Sequence, residues 1–146
     1  VPPLVGYLGV TNYLSIEAVL LFIMFCLWQM PHSYAIAMFR IQDYRDAGIP
    51  VLPVKEGVDK AHKHMKAYVV AFGVVAIGLF MLGEAGYEYL AVSAAVCFMW
   101  TRVTFQKVDY NNYIQWSKSV FKMSLLVVMG ISGVLGLELI PLPFIH

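Results

Sequence analysis

The sequence predicts an all-α protein, a polytopic bundle of transmembrane helices. Of its 146 residues, 60% are hydrophobic and only 13% charged, far more apolar than a soluble domain of that length needs. The mean hydropathy is +0.72. The apolar residues also run continuously, with none of the alternation over about ten residues that marks the strands of a membrane barrel. The net charge of +1, with no basic run interleaved with aromatics, argues against nucleic acid as a partner. Cys26 and Cys97 each fall within an apolar run, where a small buried hydrophobe is the expectation and a disulfide is not.

Spans can be placed in order, since crossing the hydrocarbon takes about 20 helical residues. Apolar runs extend from Leu14 to Phe39, Ala67 to Leu82, Tyr87 to Phe105 and Ser119 to Leu137. Ahead of them, Val1–Val10 opens with Pro2 and Pro3 and reads as the end of a further helix. The expectation is therefore a fragment with about four complete spans plus the end of a fifth. No stretch has the pattern of a secretory signal peptide.

Arg40, Arg45, Lys55, Lys60, Lys63 and Lys66 lie between the first and second runs, and Arg102, Lys107, Lys118 and Lys122 surround the connection between the third and fourth. The opening stub, the turn from Gly83 to Gly86 and the tail LELIPLPFIH carry no Lys or Arg. The positive-inside rule then places loops 40–66 and 102–118 in the cytoplasm and the carboxyl terminus on the periplasmic side. Tyr7, Tyr13, Tyr87 and Tyr89 would mark the outer interface, and Trp100, Tyr110, Tyr113 and Trp116 the inner one.

Within the first run, the stretch WQMPHSYAIAMFRIQDYRDAGIPVLP, Trp28 to Pro53, carries polar groups along an otherwise apolar path. Steps of three and four residues predict Gln29, His32, Ile36, Arg40 and Asp43 on one helix face. His32 would lie roughly 12 Å from Arg40 along the axis, inside the membrane. Pro31 lacks an amide proton and is expected to bend the helix and free the carbonyl of Leu27. A polar stripe facing lipid is costly, so a protein-lined cavity open at one end is expected.

Singly, each residue has an ordinary explanation. Gln29 or His32 can bond a neighbouring helix, a contact worth about 1 kcal/mol; Arg40 can anchor the chain at the interface, and Asp43 can cap a helix. Together they suit a magnesium diphosphate. Asp43 and Asp46 offer hard carboxylate oxygens for the metal, and nearby Arg and Lys suit phosphate oxygens. Gly48, Pro50 and Pro53 would hold the loop in a defined bend.

The segment LWQMPHSYAIAMFRIQDYRDAGIPVLPV resembles the haem-farnesylating branch of the UbiA-type prenyltransferases, the haem O synthases, and VPPLVGYLGVTN fits the helix end before it in that family. The resemblance implies one membrane-embedded domain of which residues 1–146 are the carboxyl-terminal half, carrying the second of two acidic loops. It implies transfer of the farnesyl group of farnesyl diphosphate to a vinyl group of haem b, with haem b as a substrate and Mg2+ held with the diphosphate. It further implies a bacterial inner membrane, contact with the lipid bilayer, and haem A synthase or terminal oxidase assembly as partners. By the same resemblance, Asp43 and Arg40 would be catalytic, Trp28, Gln29, His32, Tyr44 and Lys55 substrate-binding, and Asp43 and Asp46 metal ligands. The acids here are spaced DYRD, one residue shorter than the DxxxD of many members.

Two other readings stay open on the residues alone: a prenyltransferase with an aromatic, quinone-precursor acceptor, and a non-enzymatic membrane carrier or helper subunit whose stripe from His32 to Asp43 lines a path. Trp28 and Tyr34 could stabilise an allylic cation, although at helical spacing such aromatics more often pack. His62 and His64 have a metal-pair spacing but are expected to be solvated in a Lys-rich loop. Gly130, Gly133 and Gly136, with Ser132, predict close helix packing in the last span. VDYNNYIQW, Val108 to Trp116, reads as an interfacial loop.

Overall fold

The computed structural model describes residues 16–83, 85–109 and 111–139, and among these there is no strand. The expected stub at Val1–Val10, together with Tyr7, Tyr13 and Tyr110, lies outside the described residues. Among the described residues six helices follow one another: α1 (Ile16–Phe39), α2 (Ile41–Asp46), α3 (Leu52–Glu56), α4 (Val58–Met81), α5 (Tyr87–Thr104) and α6 (Tyr113–Leu139). The four long ones form a closed ring in which α1 packs on α4 and α6, and α5 on α4 and α6. Short connections make neighbours antiparallel, so the two lysine-bearing loops share one end.

Three of the long helices, Ala18–Phe39, Val58–Met81 and Tyr113–Leu137, are long and apolar enough to cross a membrane. The fourth, α5, has 18 residues, about 27 Å of helix at 1.5 Å per residue, slightly short of the hydrocarbon thickness. It also carries Glu88, Ser93, Thr101, Arg102 and Thr104. It takes the fourth place in the ring all the same.

Two expected boundaries are corrected. The second span begins at Val58 and not at Ala67. Its buried residues Ala61, Met65, Val69, Phe72, Ala76 and Leu79 recur every three or four positions, so one apolar stripe continues through the lysine-rich stretch. Gly57, at φ 91° and ψ 164°, supplies the break before it in a region open essentially to glycine alone. The last span begins at Tyr113 and not at Ser119, so the end of the expected interfacial loop, Tyr113 to Trp116, is helix.

Burial sorts the aromatics differently from the predicted belts. Tyr87 is exposed, but Tyr89, Trp100 and Trp116 are buried in the bundle. The Tyr89 hydroxyl donates to the Ala76 carbonyl at 3.2 Å. Trp116 Nε1 donates to the Val103 carbonyl at 2.7 Å, and His62 Nε2 bonds the Thr104 carbonyl at 2.7 Å. A carbonyl only accepts, so Nε2 carries the proton. His62 and Trp116, with ring centroids 4.6 Å apart, thus bond two carbonyls at the end of α5, where helical partners run out; the Val103 carbonyl also accepts the Gln106 amide at 3.3 Å. The expectation of a solvated His62 is wrong: it is buried, on the stripe that begins at Ala61.

Cys26, expected to be buried, is exposed, and Cys97 is half-buried; both are free thiols. Of the expected small-residue contacts only Gly130 is close, where an added Cβ would meet Val96 Cγ1 at 3.4 Å. Gly133 and Gly136 have nothing within 4 Å, and Ser132 is exposed.

Trp100 is fully buried, yet its Nε1 has no hydrogen-bond partner among the described residues. Trp100→Phe and Trp116→Phe remove similar volume, but only the second breaks a hydrogen bond. Trp116→Phe is therefore expected to destabilise the full-length protein by about 1 kcal/mol more than Trp100→Phe. Thermal unfolding in detergent checks this, and equal losses would show that the Trp116 bond contributes nothing net.

Candidate active site

The polar groups of the first span divide into an interior cluster and a loop-end cluster. The predicted single stripe is interrupted, because α1 runs through Pro31 but ends at Phe39. Arg40 adopts φ −111° and ψ 25°, outside helical geometry, before α2 begins. No glycine or proline announces that break.

The interior cluster centres on His32, which is half-buried. Its ring stacks between Trp28, at 4.6 Å between centroids, and Phe121 of α6, at 4.9 Å. Its Nδ1 lies 2.7 Å from Ser124 Oγ. That hydroxyl donates its only proton to the Phe121 carbonyl at 2.6 Å, so it can only accept from the imidazole. Nδ1 is thereby the protonated nitrogen, and in a neutral ring Nε2 remains with a free lone pair. Trp28 Nε1 donates to the Ser124 backbone carbonyl at 2.8 Å, which fixes the second side of the same sandwich. Gln29 does not join this cluster: it is exposed and bonds Ser33 Oγ at 3.2 Å. Ser124 and Phe121 went unrecognised from the sequence, since they lie on another helix and Ser124 is 92 residues from His32.

The loop-end cluster stands on α2 and α3, which pack on each other and on α1. Asp43 lies in the first turn of α2, where the helix dipole favours a negative charge. Asp43 and Asp46 are both exposed, as are Arg40 and Lys55, while Tyr44 is half-buried. Asp46 Oδ1 accepts from Gln42 Nε2 at 2.8 Å, leaving Asp43 with no side-chain partner among the described residues. The chain turns out of α2 through Gly48 at φ 68°, with the Ile49 amide donating to the Tyr44 carbonyl at 2.9 Å. Pro53 is buried at the start of α3, so the expected fixed loop is found as two short helices joined by a tight turn. Lys55 lies in the last turn of α3. Beyond it, Glu56 pairs with Lys60, and the hydrogen bond from that ammonium holds its carboxyl below the usual carboxylate range.

The chemistry of this donor set suits part of a magnesium site. Asp43 and Asp46 are three residues apart on one helix, hence on one side of it, and carboxylate oxygens are the donors Mg2+ takes. Among the described residues, no group of three or more His, Cys, Asp or Glu side chains comes together. α2 supplies two carboxylates.

A helical membrane bundle with an acidic, cation-flanked loop at one end of its first span defines a class: the chain belongs to the UbiA prenyltransferase family, whose model matches residues 1–126. It is 94% identical over all 146 residues to a protoheme IX farnesyltransferase 1 of Vibrio campbellii, of which it covers 50%. It is 80% identical over 142 residues, 97% of this chain and 49% of the relative, to a protoheme IX farnesyltransferase 2 of Vibrio parahaemolyticus. A protoheme IX farnesyltransferase of Aliivibrio salmonicida is 63% identical over 141 residues, again 97% of this chain and 49% of that protein. The chain thus spans about half the length of the curated relatives it matches. No solved structure matches it.

Proposed function

We propose that the chain is the carboxyl-terminal half of the single membrane domain of a protohaem IX farnesyltransferase, the enzyme that makes haem O. In this reaction the C–O bond of farnesyl diphosphate breaks and a new C–C bond forms to a vinyl group of haem b. Water supplies the hydroxyl of the resulting side chain, and diphosphate and a proton leave. The observation that carries the reading is the division of polar groups between two places. A carboxylate and cation cluster stands at the loop end for the diphosphate, and an imidazole between aromatic rings stands inside the bundle for the macrocycle.

In this assignment Arg40 and Lys55 bind diphosphate oxygens, and Tyr44 lines the approach to them. Asp43, with Asp46 as the weaker donor, would hold Mg2+ together with a second acidic loop carried by the other half of the protein. The metal, when bound, offsets the charge that grows on the leaving group. Trp28 and His32 would border a cavity for haem or prenyl completed by the other half of the protein, where apolar walls would keep water from an allylic cation. The lysine-bearing segments 40–66 and 102–118, with the helix ends they include, face the cytoplasm of a bacterial inner membrane, and the carboxyl terminus faces the periplasm. Haem A synthase or the terminal oxidase assembly machinery would receive the product.

The full-length gene, expressed in a host lacking its own haem O synthesis, is expected to produce haem O detectable by mass spectrometry of extracted haems. A prenylated aromatic product without haem O would place the chain with aromatic acceptors. No prenylated product at all would support a carrier or helper role.

A further inference from the structure

At the loop end of α6 lies a cleft of about 570 Å³ whose lining includes Lys107, Lys118 and Lys122 together with Asn112, Gln115 and Ser119. All six are exposed. None of the three ammonium groups has an ion-pair partner among the described residues, where the only ion pair is Lys60–Glu56. The described lining contains no carboxylate. Lys118 and Lys122 are one helical turn apart and present their charges on one side. Three unneutralised cations in one polar recess make a site for an anionic oxygen group.

The same face of α6 specifies the rest of the ligand. Continuing in steps of three and four from Lys118 and Lys122, it carries Leu125, Leu126 and Met129, which are 38%, 53% and 70% exposed. Met129 lies about 10 Å beyond Lys122 along the axis, within the segment Tyr113–Leu137 that is long and apolar enough to cross a membrane. The face therefore passes from a cationic recess to an apolar strip that the described residues leave exposed, as a membrane normal passes from headgroups to acyl chains. The His32 cluster uses the adjoining stripe of α6, through Phe121 and Ser124, neither of which lines the recess.

We propose that this recess binds the phosphate headgroup of an anionic phospholipid, whose acyl chains lie along Leu125, Leu126 and Met129. Basic pockets at the ends of transmembrane helices recognise lipid phosphates in this way, at about fivefold per lysine in partitioning. The inference rests on the membrane reading of α6 and not on farnesyl transfer. Its readout is lipid retention, so it stands or falls apart from the proposed activity.

The test uses the full-length protein in nanodiscs of phosphatidylglycerol or phosphatidylcholine, with bound lipid counted by native mass spectrometry and melting temperature measured alongside. The wild type is expected to retain phosphatidylglycerol preferentially and to melt higher in it. The double variant Lys118→Gln/Lys122→Gln should lose that preference by about fivefold per lysine removed. Lys60→Gln/Lys63→Gln, which removes the same charge at another loop, should keep it. A double variant that retains the full preference overturns the proposal. An equal loss in the Lys60/Lys63 control would assign the preference to bulk charge and overturn it too. Inorganic phosphate that reproduces the stabilisation in phosphatidylcholine discs would make the ligand a soluble anion and refute the lipid.

Discussion

Asp43→Asn in the full-length protein is expected to lower haem O formation by about a hundredfold, the scale on which loss of one group stabilising transition-state charge is felt, with the melting temperature nearly unchanged. The structural half of that expectation follows from α2, which has no buried residue. Asp43 is exposed on it, with no side-chain partner among the described residues, so the isosteric amide removes a charge and no packing. The functional half follows from where charge develops: a carboxylate that holds the metal acts most strongly when diphosphate departs, so the loss should appear in kcat more than in KM. Asp46→Asn should cost less, because Gln42 already occupies one of its oxygens at 2.8 Å. Activity and thermal stability of both variants across a magnesium titration decide the matter. Near-normal activity of Asp43→Asn at limiting magnesium would remove the metal role, and a large stability loss would make Asp43 structural.

What the sequence shows of this fold is what local pattern can encode. The helical bundle was legible because continuous apolar runs of span length leave few other structures in a membrane. Helix ends were misplaced where charge was read as loop. Lys60, Lys63 and Lys66 lie on exposed or half-buried positions of α4, while Ala61 and Met65 are buried with Val69, a register visible only once that stretch is followed with the period of a helix. The end of α1 at Phe39 was not legible, since Arg40 and its neighbours are ordinary helix formers and the break falls where α2 and α3 turn to pack against the bundle.

The site divides along the same line. Asp43, Asp46, Arg40 and Lys55 stand close in sequence, and their gathering at one end could be read from the chain. The surroundings of His32 could not, because its partners lie on α6. The same holds for His62, whose partner carbonyl is 42 residues away, and for Trp100 and Trp116, which resemble interfacial aromatics until the ring of helices closes around them. Long-range packing is what a single sequence conceals.

His32→Phe is expected to abolish haem O formation and the absorption change that haem b undergoes on binding, while the protein melts as the wild type does. The substitution keeps an aromatic ring between Trp28 and Phe121, at the place where centroid separations of 4.6 and 4.9 Å now hold the imidazole, and it removes both nitrogens. Packing is thereby separated from chemistry, which His32→Ala would not do, since it also opens a cavity. The reason to expect a chemical role is the order of protons around Ser124. Its hydroxyl donates to the Phe121 carbonyl at 2.6 Å and receives Nδ1 at 2.7 Å, so the ring is oriented by one nitrogen and offers the other, the arrangement that fixes a histidine for iron or for accepting a proton. Ser124→Ala tests that chain of bonds from the other side. It leaves the imidazole in place but free to rotate or change tautomer, and an effect of about tenfold is expected, at the lower end of what loss of an orienting partner costs. Wild-type haem spectra and haem O yield in His32→Phe would show that the ring is there to fill space. A loss in Ser124→Ala as complete as in His32→Phe would instead mean that the hydroxyl itself, and not the nitrogen it orients, meets the substrate.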